Sequence, residues 1–159
     1  MKVRVAAAAA LVALVAAGVG AAARFQSPNG AATVTLSSAA AGARNVAVTV
    51  QIPTVLQCGR PTGVPVAITL PRAERMPPAI VASMVRVNGL PPSKLTTVGR
   101  VVTVSLPVRR GITCLTLVDG MMKITFAPGA ALGNPSSAGT YSFAIRQGRT
   151  AYVVPVTIH

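Results

Sequence analysis

The chain has 159 residues, and fifteen Lys and Arg side chains face only two carboxylates, Glu74 and Asp119, for a formal net charge of +13. The one histidine is His159. General acid/base catalysis, carboxylate metal cages and Ser/His/Asp triads all combine Asp, Glu and His, which are nearly missing here. The composition therefore argues against an enzyme, and it predicts no cofactor and no bound metal.

Residues 1–23 have the three parts of a secretory signal peptide. Lys2 and Arg4 precede an apolar run over residues 5–19, and the small residues up to Ala23 suit a signal peptidase. We expect cleavage after Ala23. The alternative is an uncleaved membrane anchor, which is less favoured because alanine, far less lipophilic than leucine, makes up most of the run.

Export and cleavage of the signal peptide would leave a mature protein with its own charge, domain organisation and location. Cleavage would remove two of the fifteen cations and leave thirteen against two acids, a net charge of +11. We predict a flexible, Gly- and Pro-containing N-terminal segment over residues 24–32 and one domain over residues 33–159. The mature protein is expected to be soluble, without a stable membrane span, and to lie outside the cell, at its surface or in the periplasm.

Apolar residues that alternate with polar or small ones predict β-strands through the domain. Such a period of two places one set of side chains on a core and the other set on the outside. The expected inward set is Val46, Val48, Val50, Ile52, Val64, Val66, Ile68, Leu70, Val102, Val104, Leu106, Met122, Ile124, Phe126, Tyr141, Phe143, Ile145, Tyr152, Val154, Val156 and Ile158. Seven to nine short strands of this kind indicate an all-β fold, an antiparallel immunoglobulin-like β-sandwich.

Three sequence features between the strands indicate turns or corners. Asp119-Gly120, between two apolar runs, is typical of a type I′ hairpin, and Asn88-Gly89 is also interpreted as a turn. The segment from Asn134 to Tyr141 allows a binding loop or a structural corner. We favour the corner, in which the tyrosine hydroxyl bonds to nearby backbone as in other sandwiches.

The two cysteines, Cys58 and Cys114, are expected to form a structural disulfide. An exported chain meets an oxidising environment, and two cysteines with one histidine are too few for a metal site. The bridge would close a loop of about 57 residues and stabilise the fold by roughly 4 kcal/mol in the chain-entropy model.

The order of several short motifs resembles an immunoglobulin-like module of exported bacterial surface proteins. In that module a strand ending in Pro is followed by a Pro-Ile segment, a V-x-V-N-G strand end, an exposed strand and an N-P-x-x-x-G-T-Y approach to a late strand. The corresponding motifs here are VPVAITLP (64–71), MPPAI (76–80), VRVNG (85–89), VVTVSLP (101–107), MKITF (122–126) and NPSSAGTYSFAI (134–145).

This resemblance covers roughly residues 50 to 146, and it implies a spacer, adhesive or surface-layer unit with no enzymatic role. The chain departs from the module's pattern in three respects. It has one copy where the repeats usually come in series, it carries a cysteine pair, and it is more basic. A lone module does not span distance as a series of repeats does.

The cations are the remaining functional candidates. Arg86, Lys123 and Arg146 fall at outward positions of their predicted strands, whereas other cations lie in or beside turns. The candidate contacts for a polyanion or a protein partner are Arg72, Arg75, Arg86, Arg109, Arg110, Lys123 and Arg146. If they converge, their field would attract anionic envelope polymers; otherwise they form a generally basic, solvated surface.

Two functional hypotheses follow from these features. The first is an exported, non-enzymatic binding or structural module of the cell surface or periplasm that contacts envelope polyanions or another envelope protein. The second is a secreted inhibitor or effector that binds another protein through a basic loop around Arg109 and Arg110. A specific nucleic-acid partner is not expected, because the few aromatic residues lie in phase with the core and single-strand binding needs exposed ones.

Overall fold

A computed structural model of the chain describes residues 22–54, 64–72, 77–107 and 120–159. In these ranges the protein consists of β-strands and two single 3₁₀ turns, Ala82–Met84 and Pro128–Ala130. The strands are β1 Ala23–Gln26, β2 Thr33–Leu36, β3 Val48–Pro53, β4 Val66–Thr69, β5 Val85–Val87, β6 Lys94–Val98, β7 Val101–Ser105, β8 Met121–Phe126, β9 Gly139–Gln147 and β10 Thr150–Ile158.

The strands form two antiparallel five-stranded sheets. Sheet 1 has the order β1-β2-β3-β8-β5, and sheet 2 has the order β10-β9-β4-β7-β6. When the strands are lettered A to G along the chain, omitting β1, β6 and β7, the order β2-β3-β8-β5 in sheet 1 is A-B-E-D. The order β10-β9-β4 in sheet 2 is G-F-C, so both match an immunoglobulin-like sandwich. The predicted all-β antiparallel sandwich is therefore confirmed.

The described residues contain ten strands, more than the predicted seven to nine. The seven strands of the immunoglobulin-like order are joined by β1 at one edge of sheet 1 and by the β6–β7 hairpin at one edge of sheet 2. The hairpin turns in two residues at Gly99, whose φ of +54° is accessible to glycine at little cost. Both sheets are thereby widened to five strands.

The core lies between the sheets and contains almost all of the predicted inward side chains. Val50, Ile52, Ile68, Ile124 and Phe126 are fully buried. Only Val64, Tyr141 and Tyr152, near the ends of their strands, are half-buried. The period-two prediction is confirmed because both sheets bury one face each against a single core, so that alternate side chains must be apolar.

The expectation of a loose segment over residues 24–32 is wrong. Residues 23–26 form β1, which pairs with β2, and the Phe25 ring packs against the core. The following turn is closed by the backbone N–H of Ser27 donating to the carbonyl of Ala32 (2.8 Å) and by the Ser27 hydroxyl accepting from the backbone N–H of Ala32 (2.9 Å). Gly, Pro and Asn here mark a tight turn rather than disorder.

The end of β10 is anchored through the backbone of His159. Its backbone N–H donates to the carbonyl of Ala39 (3.0 Å), and its carbonyl accepts from the backbone N–H of Ala41 (2.8 Å). These two hydrogen bonds tie the end of β10 to the connection between β2 and β3. The imidazole itself is on the exposed surface.

Several predictions concern residues outside the described ranges. These include most of the signal peptide over residues 1–23, the Cys58–Cys114 disulfide and the residue Asp119 of the predicted hairpin. All of them stay predictions. Among the described residues, β8 pairs with β3 and β5. None of the helical turns in the described ranges is long and apolar enough to cross a membrane.

Phe126 gives a direct test of the shared core. Phe126→Ala removes a fully buried ring and should lower the free energy of unfolding by about 3 to 5 kcal/mol, measured by urea denaturation. Thr125→Ala, on the outward face of the same strand, is the matched control and should change stability by less than about 1 kcal/mol. Equal effects of the two substitutions would contradict the assignment of the inward face.

Candidate functional site

The segment from Asn134 to Tyr141 is a structural corner. The Asn134 side-chain Nδ2 donates to the carbonyls of Ser38 and Ala40, both at 2.9 Å. The Tyr141 hydroxyl donates to the carbonyl of Ser137 at 2.9 Å, four residues earlier. These bonds commit the Asn134 amide and the Tyr141 hydroxyl to the fold, so that the corner interpretation is confirmed.

The turn at Asn88-Gly89 is likewise structural, and it fixes the neighbourhood of Lys123. Asn88 and Gly89 both have positive φ, +48° and +81°, as a type I′ turn requires. The Asn88 side-chain oxygen accepts from the backbone N–H of Lys123 at 2.7 Å. The turn thus extends the outward surface of sheet 1 beyond β5.

The outward surface of sheet 1, here called the threonine face, is polar and carries cations. Its side chains alternate with the buried ones along each strand, and they are all at least partly exposed except Thr33. The face consists of Arg24, Gln26, Thr33, Thr35, Thr49, Gln51, Pro53, Arg86, Met121, Lys123 and Thr125.

Strand pairing aligns five of these residues in one line, here called the threonine row. The order across the sheet is Arg24, Thr35, Thr49, Thr125 and Arg86, each paired with the next by register. Four inter-strand spacings of about 4.8 Å place the two arginine Cα atoms about 19 Å apart. The row therefore has three adjacent hydroxyl side chains between two terminal cations.

The two arginines are held at opposite edges of sheet 1. Arg86 donates from Nη1 to the carbonyls of Ser83 (2.8 Å) and Val85 (2.9 Å), which fixes its guanidinium at the β5 edge. Arg24 is exposed on β1. The hydroxyls of Thr35, Thr49 and Thr125 have no hydrogen-bond partner among the described residues.

The outward surface of sheet 2, here called the valine-alanine face, is different in kind. Small apolar residues occupy seven of its sixteen outward positions, and Thr and Ser occupy seven more. The apolar ones are Ala67, Val98, Val101, Ala144, Ala151, Val153 and Pro155. The face has no large side chain except its two cations, Lys94 and Arg146.

One line across this face, here called the valine row, contains no charge. Register pairs Val153 with Ala144, Ala144 with Thr69, Thr69 with Val101, and Val101 with Val98. Val98 and Val153, at its two ends, are 76% and 53% exposed and belong to the most exposed large apolar residues described. Isolated exposed valines are ordinary, whereas here three valines and an alanine share one line across the sheet, interrupted at its centre by Thr69.

The two cations on outward strand positions of sheet 2, Lys94 and Arg146, lie toward the end of the β9–β10 turn, whereas Arg100, in the β6–β7 turn, borders the valine row and donates from Nη1 to the carbonyl of Leu70 at 3.1 Å. The Arg146 side chain donates from Nε to the carbonyl of Gly148 in the β9–β10 turn at 3.1 Å. Lys94 begins β6 at that same end, where it pairs with Ser105, and Arg149 lies in the turn itself. The opposite end, with the Pro155–Ser142 and Thr157–Thr140 pairs, carries no charged side chain on its outward strand positions.

A pocket of about 360 Å³ opens between the sheets at the end where Lys94 and Arg149 lie, lined by neutral groups that include Pro53 and Tyr152. The Thr54 hydroxyl donates to Gln147 Oε1 at 3.0 Å, and Gln147 Nε2 donates to the carbonyl of Val64 at 3.4 Å. The amide of Gln147 thus bridges the polar groups of this pocket and ties the two sheets together.

The structure distributes the predicted contact residues over several surfaces. Arg86 and Lys123 lie on the threonine face, Arg146 lies on the other sheet, and Arg72 follows β4 at the opposite end from the β9–β10 turn. Arg75, Arg109 and Arg110 are outside the described ranges. The described candidates therefore do not converge on a single patch, and two of them share a face.

Sequence reasoning did not identify Arg24 or the valine row. Arg24 belongs to the segment that was expected to be loose, so its outward phase on a strand was not considered. The valine row joins residues from β4, β6, β7, β9 and β10, and only the register of five strands brings them into line. The alternation along each strand predicts which residues face outward, but no local signal predicts the register that brings residues of different strands into one line.

Comparison with known proteins supports the fold. No protein-family model matches the chain, and no curated protein sequence does either. Among solved structures, the chain is similar to the crystal structure of BslA, described as a bacterial hydrophobin, with a TM-score of 0.50 and 17% sequence identity. The match covers 87% of this chain and 98% of that one. At this identity the similarity shows a shared fold.

Asn134 tests the structural interpretation of the corner. Asn134→Ala removes two hydrogen bonds to the β2–β3 connection and should lower the free energy of unfolding by about 1 to 2 kcal/mol, measured by urea denaturation. Ser136→Ala, exposed in the same corner, is the control and should be near neutral. An unchanged stability together with lost partner binding would instead favour a recognition loop.

Proposed function

We propose that this protein is an exported, non-enzymatic structural module of a bacterial cell surface that lies at a boundary between a polar and an apolar phase. The threonine face is turned to the polar envelope, and the valine-alanine face is turned to the apolar phase. The protein would thus act as a coat rather than as a spacer or a catalyst.

The observation that carries this proposal is the difference between the two outward surfaces of one sandwich. The threonine face combines Arg24, Arg86 and Lys123 with Thr and Gln. On the valine-alanine face Lys94 and Arg146 lie toward one end, and the valine row crosses five strands without a charge. Because most of its side chains are small, the valine-alanine face is even, and an external apolar surface can contact several of its strands at once. In a sandwich with water on both outward faces and no partner, a row of exposed apolar residues on one face alone would not be expected.

The comparison with a known structure and the features of the sequence also support the proposed role at a cell surface. BslA is described as a bacterial hydrophobin, and this chain shares its fold over nearly the whole of that protein. The sequence resemblance to exported bacterial surface modules points to the same location, as does the predicted signal peptide over residues 1–23. The near absence of Asp, Glu and His supports a non-enzymatic role.

The polar side of the proposal keeps the predicted contact with envelope polyanions. An unopposed charge of +11 on the mature chain would attract anionic envelope polymers over roughly a Debye length, about 8 Å at physiological salt. On the threonine face, Arg86 and Lys123 are joined by Arg24, which gives three cations on its described strand positions against two on those of the valine-alanine face. The alternative, an inhibitor that binds through Arg109 and Arg110, stays a hypothesis because no described contact favours it.

Adsorption to an apolar surface tests the proposal. The mature protein should adsorb to a methyl-terminated surface, followed by quartz-crystal microbalance at 0.15 M salt. Val98→Asp with Val153→Asp places charges at both ends of the valine row. Losing apolar burial of about 1 kcal/mol at each position should weaken adsorption about 30-fold.

The matched control places the same two charges on the other surface, as Thr49→Asp with Thr125→Asp. It has the same net charge as the valine variant and should adsorb like the unchanged protein. Circular dichroism and urea denaturation verify that both variants fold. Equal adsorption of the two variants, or no adsorption of the unchanged protein, would show that the valine-alanine face has no such role.

A further inference from the structure

We infer that the threonine row is a binding track for an extended anionic polymer that lies across the strands of sheet 1. The inference deepens the proposed function, because it rests on the polar side of the coat and names its ligand class. The ligand is a flexible chain with repeated monoanionic groups and hydroxyls, such as a phosphodiester polymer or a carboxylated polysaccharide.

The spacing of the two arginines selects a chain over a small anion. Their Cα atoms lie about 19 Å apart across sheet 1, so both guanidinium groups cannot converge on one phosphate or carboxylate. An extended polymer of several units bridges that distance and meets a cation at each end of the row. The row is thus suited to at least two anionic groups of one chain.

The threonines between the arginines supply the middle of the track. Thr35, Thr49 and Thr125 stand on neighbouring strands at a spacing of about 4.8 Å, with their hydroxyls unbonded within the described residues. A hydroxyl both donates and accepts, so it can bond either the anionic oxygens or the hydroxyls of a polymer. Small side chains also leave the surface open for a chain to lie against it.

The neighbouring line of residues strengthens one side of the track. It pairs Gln26 with Thr33, Thr33 with Gln51, and Gln51 with Lys123. Thr33 is only 3% exposed, and its hydroxyl is bonded to Gln51 Oε1 at 3.2 Å, so this line offers fewer free groups in its middle. Lys123 adds a third cation beside Thr125.

The charge of the chain favours this ligand over a second copy of the protein. Two threonine faces brought together would oppose three cations with three cations, and both mature chains carry an expected +11. A polyanion relieves that repulsion, and it releases its own counterions when it binds. The binding should therefore weaken steeply as salt increases.

The experiment titrates the full mature chain with three probes at 20 mM and 200 mM salt, followed by isothermal titration calorimetry. The probes are poly(glycerol phosphate), polygalacturonate and monomeric glycerol 3-phosphate. Both polymers, or one of them, should bind at low salt and weaken at high salt, whereas the monomer should bind at least about tenfold more weakly. A preference between the polymers identifies phosphate or carboxylate as the recognised group.

Two sets of variants test the row itself. Arg24→Gln with Arg86→Gln removes both terminal cations, and its matched control, Arg44→Gln with Arg149→Gln, removes two exposed cations elsewhere. The row variant should lower polymer affinity about tenfold and the control less than about threefold. Equal losses would mean that net charge alone attracts the polymer, which would overturn the track.

The hydroxyls are tested by the isosteric change of Thr35, Thr49 and Thr125 to Val, which keeps all charges. The control changes Thr140 and Thr157, on the outward face of sheet 2, to Val. Affinity for the polymer should fall in the first variant alone; an unchanged affinity, or no binding of either polymer by the unchanged protein at 20 mM salt, would overturn the inference. Adsorption of these variants to the methyl-terminated surface should persist, which separates failure of the track from failure of the coat function.

Discussion

Burial of one face of each sheet against a single shared core is the constraint on which the rest of the structure depends. Because side chains alternate along a strand, filling the core with Val, Ile and Phe fixes which residues face outward. Antiparallel pairing then aligns those outward residues into straight lines across five strands. The threonine row and the valine row are both consequences of core packing, and a slip of one residue in any strand would break them.

The sequence predicts the fold class and the core because these depend on local alternation. Val46 to Ile52 and Tyr152 to Ile158 carry their phase in their own residues, and both runs are buried as that phase requires. The turn at Asn88-Gly89 and the corner at Tyr141 have local chemical signatures as well. These features could be found without knowledge of strand neighbours.

The surfaces could not be predicted in this way, because they depend on which strands become neighbours. Arg24 and Arg86 are 62 positions apart in the chain, and they share a line only through β2, β3 and β8. Val98 and Val153 likewise share a line on sheet 2 only through the strands between them, β7, β4 and β9. The segment before β2 adds a second reason, since Gly, Pro and Asn occur in tight turns and in loose ends alike, and only the packing of Phe25 separates the two.

The protein has two opposed surfaces, with a line of threonines between two arginines on one side and an uncharged row of Val, Ala and one Thr on the other. Hydroxyl-radical footprinting of the protein adsorbed to apolar beads, compared with the protein in solution, tests this orientation most directly. The account predicts protection of Val98, Val101 and Val153, with Met121 on the threonine face as reactive as in solution. Protection of Met121 instead, or equal protection on both faces, would contradict it.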